Sequence, residues 1–144
     1  MIANIRVRDR TNSRYLCQLD LFRFSEEQVR ERMRERGYTE DEFIICGFVD
    51  WEVDTEMTLT LAYALKRYIN ELYDGDETVV IHLLKKHVSP TAIISHYYHF
   101  ISKDETEAAV YVLRRNHQLA TLLTEYIDAG LLLNTENGFY LIDG

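Results

Sequence analysis

The sequence predicts an α+β protein, with a small mixed sheet plus helices in serial subdomains and a C-terminal β-hairpin. Three patterns carry that expectation. Cys17, Leu19 and Leu21 alternate with Gln18 and Asp20, the period of two of a half-buried strand. Leu61, Leu65, Tyr68, Ile69 and Leu72 recur at helical spacing until Gly75 stops the run. Asn137-Gly138 parts Leu131-Leu132-Leu133 from Phe139-Tyr140-Leu141-Ile142, which reads as a hairpin with an Asn-Gly turn.

The first two strands hold Ile2, Ile5 and Val7 and then residues 15–22, joined by the turn formers of residues 9–14. Ser25-Glu26-Glu27-Gln28 is a capping box opening a helix that carries Val29 and Met33 and ends before Gly37. Its arginines, Arg30, Arg32, Arg34 and Arg36, interleave with Glu31 and Glu35, the pattern of a solvated face with i,i+4 pairs such as Glu26 and Arg30. Residues 42–53, mostly apolar, form a third and central strand. A helix follows over residues 54–73. Asp76 caps another through Val79, Val80, Leu83 and Leu84 to His87, and Ser89-Pro90 opens a short one, Pro being favoured at the first helical position. Residues 97–101 are aromatic and lean towards strand. Asp104 caps a helix to about His117, and residues 119–129 form the last, closed by Gly130. The expected subdomains are 1–53, 54–95 and 96–144.

The bulk numbers exclude several classes. At 144 residues and 47% hydrophobic content the chain can bury a core. No run reaches the ~18–20 apolar residues of a membrane span, and Met1-Ile2-Ala3-Asn4 does not open a signal peptide, so a cytoplasmic protein is expected. Cys17 and Cys46 lack CxxC spacing and read as buried thiols rather than a disulfide or zinc framework. A formal net charge of −8 opposes non-specific binding to DNA or anionic lipid. The charge is unevenly spread: residues 1–37 are +3, residues 38–78 are −9 and residues 79–144 are −2.

The acidic excess centres on residues 50–57. If this stretch is extended, Asp50, Glu52, Asp54 and Glu56 share one face while Trp51, Val53 and Met57 take the other. Successive carboxylates then lie ~6.5–7 Å apart, on the order of the spacing of phosphates along a nucleic-acid strand. The competing reading has Asp54 cap a helix with Glu56 in its first turn.

Catalytic signatures are missing: no GxSxG, P-loop, HExxH or GxGxxG occurs. His96 and His99, with His82 and His87, are the chief metal candidates. An i,i+3 pair points to opposite faces of a strand, and in a helix it needs partners that the sequence does not place nearby. No catalytic residue, metal or cofactor is expected. The tail of helix and hairpin also resembles the end of a winged-helix DNA-binding domain, with Arg114 and Arg115 as its basic residues. Residues 119–130, its supposed recognition segment, carry Glu125 and Asp128 and no lysine or arginine, so this reading ranks second.

Taken in order, the landmarks resemble the ArdA-type antirestriction proteins of conjugative elements and phages. The matching pieces are Ser25-Glu26-Glu27-Gln28-Val29, Asp41-Glu42-Phe43-Ile44-Ile45 with Asp50-Trp51-Glu52, Leu83-Leu84 through Ser89, Tyr126-Ile127-Asp128, and Asn134-Thr135-Glu136-Asn137-Gly138-Phe139. The resemblance implies a non-enzymatic protein that dimerises into an elongated, curved body. Its acidic surface imitates DNA and occupies the DNA-binding cleft of a type I restriction-modification enzyme, without direct contact with nucleic acid or membrane. Carried over by position, the mimic carboxylates are Asp41, Glu42, Asp50, Glu52, Asp54, Glu56, Glu71, Asp74, Asp76 and Glu77.

Overall fold

The amphipathic segments fold, in a computed structural model that describes residues 1–9, 12–115 and 118–143, into two compact units, Met1–Tyr98 and His99–Gly144. The tip of the first turn, Arg10 and Thr11, and the helix junction at Asn116 and His117 lie outside the described residues.

In the first unit β1 (Ile2–Asp9), β2 (Asn12–Asp20), β3 (Phe43–Phe48) and β4 (Val53–Met57) form one sheet in the order β2-β1-β3-β4. Every pairing is antiparallel, where the sequence led us to expect a mixed sheet. Helix α1 (Glu26–Glu35) reverses the chain so that β3 runs as β2 does, and β1 lies between them. Ala3, Ile5 and Val7 alternate into the core at 0–3% exposure. Against them pack Val29 and Met33 of α1, the apolar stripe of α2 (Leu59–Tyr73), Val80 and Leu84 of α3 (Thr78–Lys85), and Ile93 of α4 (Pro90–Ile94). This core runs unbroken from Met1 to Ile93, so the boundary expected at residue 53 falls inside one unit. Tyr63 ties α2 to the loop before α1 by donating to the Phe24 carbonyl at 2.6 Å, and Tyr68 donates to the His96 carbonyl at 2.5 Å.

The caps read from the sequence are present. Ser25 Oγ accepts from Gln28 N–H at 3.2 Å while Gln28 Oε1 accepts from Ser25 N–H at 2.9 Å. Ser89 accepts from Ala92 N–H with Pro90 at the first helical position, and Asp104 accepts from Glu107 N–H at the start of α5 (Glu105–Arg115). Asp76 instead bonds Thr78, both N–H and Oγ–H, and the formal cap of α3 is Glu77 without a side-chain bond. In the second unit α5 and α6 (Gln118–Asp128) lead into a hairpin of β5 (Leu132–Thr135) and β6 (Gly138–Leu141). Its two connecting residues are Glu136 and Asn137. Gly138 pairs with Thr135 as the first residue of β6, and Thr135 Oγ accepts from Asn137 N–H and donates to the Gly138 carbonyl. Residues 97–101, expected as strand, form none.

The main departure lies in residues 42–58. The long third strand stops at Phe48, the chain turns through residues 49–52, and β4 returns beside β3 before α2 begins at Leu59. Thr58, not Asp54, caps that helix, accepting from Leu61 N–H at 3.2 Å. Glu52 adopts a left-handed conformation (φ 53°), which costs a non-glycine residue on the order of 1–2 kcal/mol. Tertiary contacts hold it there: Trp51 is buried, its ring 4.7 Å from that of Phe48. Gly47 makes the return possible, because a Cβ there would meet the Val53 carbonyl oxygen and lie 3.0 Å from the Asp54 Cα. Gly47→Ala should therefore force β3 and β4 apart and lower unfolding stability by about 2–3 kcal/mol in chemical denaturation. An unchanged midpoint would contradict this account of the turn.

Candidate functional site

The ten carboxylates assigned by position fall into two groups, divided by what each carboxylate does for the fold. Asp54 and Glu56 project outward from β4, an edge strand, while Val53 and Met57 point into the core. The expected four-membered row is thus shortened to two, because Asp50 and Glu52 lie in the turn before the strand.

Asp50 is committed to structure. Its Oδ2 accepts from the Met1 ammonium at 2.7 Å and its Oδ1 from Ile2 N–H at 2.8 Å, which fastens the start of β1 to the β3–β4 turn. Partial burial pushes this carboxyl up, but the ammonium bond, the Ile2 N–H and the ammonium charge outweigh it and hold the group below its ordinary range. Glu77 accepts from Trp51 Nε1 at 2.6 Å and lies 3.9 Å from the same ammonium. Asp76 is held low by its two bonds from Thr78. Glu42 is half-buried and accepts from Thr39 Oγ at 3.2 Å.

The other group faces solvent. Among the described residues Asp41, Glu52, Asp54, Glu71 and Asp74 are exposed and enter no ion pair or side-chain hydrogen bond. Asp41 borders a polar cavity of about 160 Å³ lined by Arg30, whose guanidinium is bound by Glu26, Glu40 and Thr60. Glu56 pairs with Arg8 at 3.2 Å, yet both side chains stay mostly exposed, at 65% and 59%. Such a surface pair contributes about 0–1 kcal/mol and yields readily to a competing charge.

Glu71 and Asp74 sit where stability disfavours them. A helix C-terminus carries partial negative charge, and α1, α3 and α5 end on basic residues accordingly. Helix α2 has no basic residue in its last turn and is followed by Asp74 in a left-handed conformation and then Asp76. The acids there work against their own helix.

The opposing charges are also on the page. Cys46 lies within the electrostatic reach of Arg6, Arg8, Asp54 and Glu56, so arginines share the outward face of the sheet with the β4 carboxylates. Arg6 is turned to Ser13, donating to its Oγ at 2.8 Å and its carbonyl at 3.1 Å. Both thiols are half-buried, and burial pushes Cys17 and Cys46 above the ordinary thiol value. Among the described residues no three His, Cys, Asp or Glu side chains gather as metal ligands, and no helix is long and apolar enough to cross a membrane. In the second unit Arg115 is engaged by Tyr111, donating to its hydroxyl at 3.0 Å with the guanidinium 5.6 Å from the ring.

Three of these contacts carry no local sequence signal: Asp50 with Met1, Trp51 with Glu77, and Arg8 with Glu56 each join residues far apart in the chain.

The two groups respond oppositely to mutation. Asp50→Asn should cost about 2 kcal/mol near neutral pH, the worth of hydrogen bonds to a charged group. Because the folded value is depressed, that contribution is complete above the unfolded carboxyl value of about 3.9 and is lost as pH falls through the folded one. The gap between wild type and variant should hold from about pH 7 to 5 and close towards pH 2 in denaturant titrations; a gap unchanged at low pH would contradict the clamp. Glu71→Lys should instead raise stability by roughly 0.3–1 kcal/mol, since it places a cation at the end of α2. A loss of stability in the same titration would show that Glu71 serves the fold.

The chain matches no family model, no curated protein and no solved structure.

Proposed function

We propose that this chain is an antirestriction-type DNA mimic. In this reading it acts in the cytoplasm, without catalysis or cofactor, by occupying the DNA-binding site of a type I restriction-modification enzyme. The observation that carries the reading is the separation of the carboxylates by role. Residues 38–78 hold eleven acidic and two basic side chains, and Asp41, Glu52, Asp54, Glu71 and Asp74 remain unpaired in solvent while Asp50, Asp76 and Glu77 support the fold. Glu56 joins the exposed set once a stronger cation displaces Arg8.

Electrostatics then does two jobs. Exposed carboxylates steer the chain towards a basic groove and raise the association rate, and each contact made in the groove replaces one the enzyme would make to a phosphate. The resemblance to ArdA-type proteins supports the choice of target. The acidic character of residues 119–130 disfavours a DNA reader built on the C-terminal hairpin, since phosphate and guanine contacts need lysine or arginine.

The test is protection of unmodified DNA from cleavage by a type I enzyme. A variant carrying Glu52→Gln, Asp54→Asn, Glu71→Gln and Asp74→Asn, with Asp50 kept, should fold as wild type and need roughly tenfold or more protein for equal protection. Equal potency would remove the assigned surface. A gel shift of mixed duplex DNA by the chain alone would remove mimicry altogether.

A further inference from the structure

Residues 1–37 carry nine basic and six acidic side chains in a chain that is otherwise acidic, and the DNA-mimic reading makes no use of that excess. Within them β2 is an edge strand and, at nine residues, the longest strand of the sheet. It holds no proline, and Arg14 and Asp20 are its only charged residues, so little blocks a further strand from pairing with it. The register against β1 shifts at Leu16, which leaves Cys17–Asp20 as a regular run. Among the described residues no backbone hydrogen bond joins residues 15–19 to any element other than β1.

On its helix side that edge is basic. Ile5 and Val7 of β1 point into the core, and their partners Cys17 and Arg14 therefore share the face of the sheet that the helices cover. Cys17 and Leu19 are half-buried there against the core. Arg32 and Arg36, four residues apart at the end of α1, are the charges that reach Cys17; Glu31 and Glu35 of the same helix are not among them. Arg14 donates to the Tyr38 hydroxyl just past that helix at 2.7 Å. All three arginines are exposed, and among the described residues none pairs with a carboxylate.

We propose that this edge takes up an extended acidic segment of a partner protein as an added strand, its backbone paired along Cys17–Leu19 and its carboxylates facing Arg32 and Arg36. A peptide fits better than a nucleic acid, because the edge offers N–H and carbonyl groups that another strand satisfies and a phosphodiester chain does not. An acidic peptide fits best, because guanidinium groups bind carboxylates through two parallel hydrogen bonds and these arginines have no such partner in the chain. The edge lies across the sheet from β4, so the inference does not depend on the DNA-mimic reading.

The test uses the full chain and an end-blocked octapeptide that alternates glutamate with threonine, added up to about 1 mM, where even a millimolar Kd registers. Amide hydrogen exchange is followed residue by residue. The proposal expects saturable binding, with protection gained within Cys17–Leu19 and none gained in β4. Arg32→Gln together with Arg36→Gln should weaken that binding roughly tenfold or more. The same peptide with its backbone N-methylated throughout keeps its charge, loses its ladder donors, and should not bind. A lysine-threonine peptide that binds as well, a methylated peptide that binds as tightly, or no binding of the acidic peptide would each overturn the proposal. So would a single-stranded oligonucleotide that gives the same protection at lower concentration, which would make the edge a nucleic-acid surface. Protection of every amide of Cys17–Leu19 in the free chain would show the edge already covered, with the same consequence.

Discussion

The turn between β3 and β4 is the constraint on which the acidic surface depends, and it is held from a distance. Asp50 grips the first residues of β1, Trp51 is buried beside Phe48 and bound by Glu77 from the start of α3, and Glu52 accepts a left-handed backbone as the consequence. Without that turn, the apolar run from Phe43 would carry straight on, and Asp54 and Glu56 would lose the edge strand that sets them towards solvent. The carboxylates that build the turn and those that face outward are thus physically linked but chemically distinct.

That distinction changes how an acidic stretch is read. Counting charges makes Asp50 and Glu77 equal to Asp54 and Glu71; their surroundings make them opposites. A carboxylate that accepts two or three donors stays ionised but has its lone pairs occupied, and so has fewer of them left for a partner. An exposed one at the end of a helix that would prefer a cation keeps its full field, at a small cost in stability. The mimic surface we infer is accordingly smaller and less regular than a strand of alternating acids.

Local chemistry was legible where a few adjacent residues decide the outcome. The Ser25 and Gln28 capping box, the Ser89-Pro90 helix start, the Asp104 cap and the Glu26–Arg30 pair all follow from spacing and appear as read. Strand β4 was ambiguous because Asp54 and Glu56 suit a helix start as well as a strand; the arbiter was Thr58, whose hydroxyl caps α2 four residues later than Asp54 would have. The partners of Asp50, Trp51 and Glu56 were hidden because they lie 26 to 49 residues away, where no periodicity reaches. The hairpin was read correctly in place but not in its turn, since Gly138 enters the strand and Thr135 closes the loop.

The central claim is that the chain and DNA compete for one site, and binding of the chain to a type I enzyme in the presence of a specific duplex measures it directly. We expect strict competition, with the affinities of chain and duplex both falling as salt rises. A ternary complex, in which the enzyme holds duplex and chain together at undiminished affinity, would contradict the account.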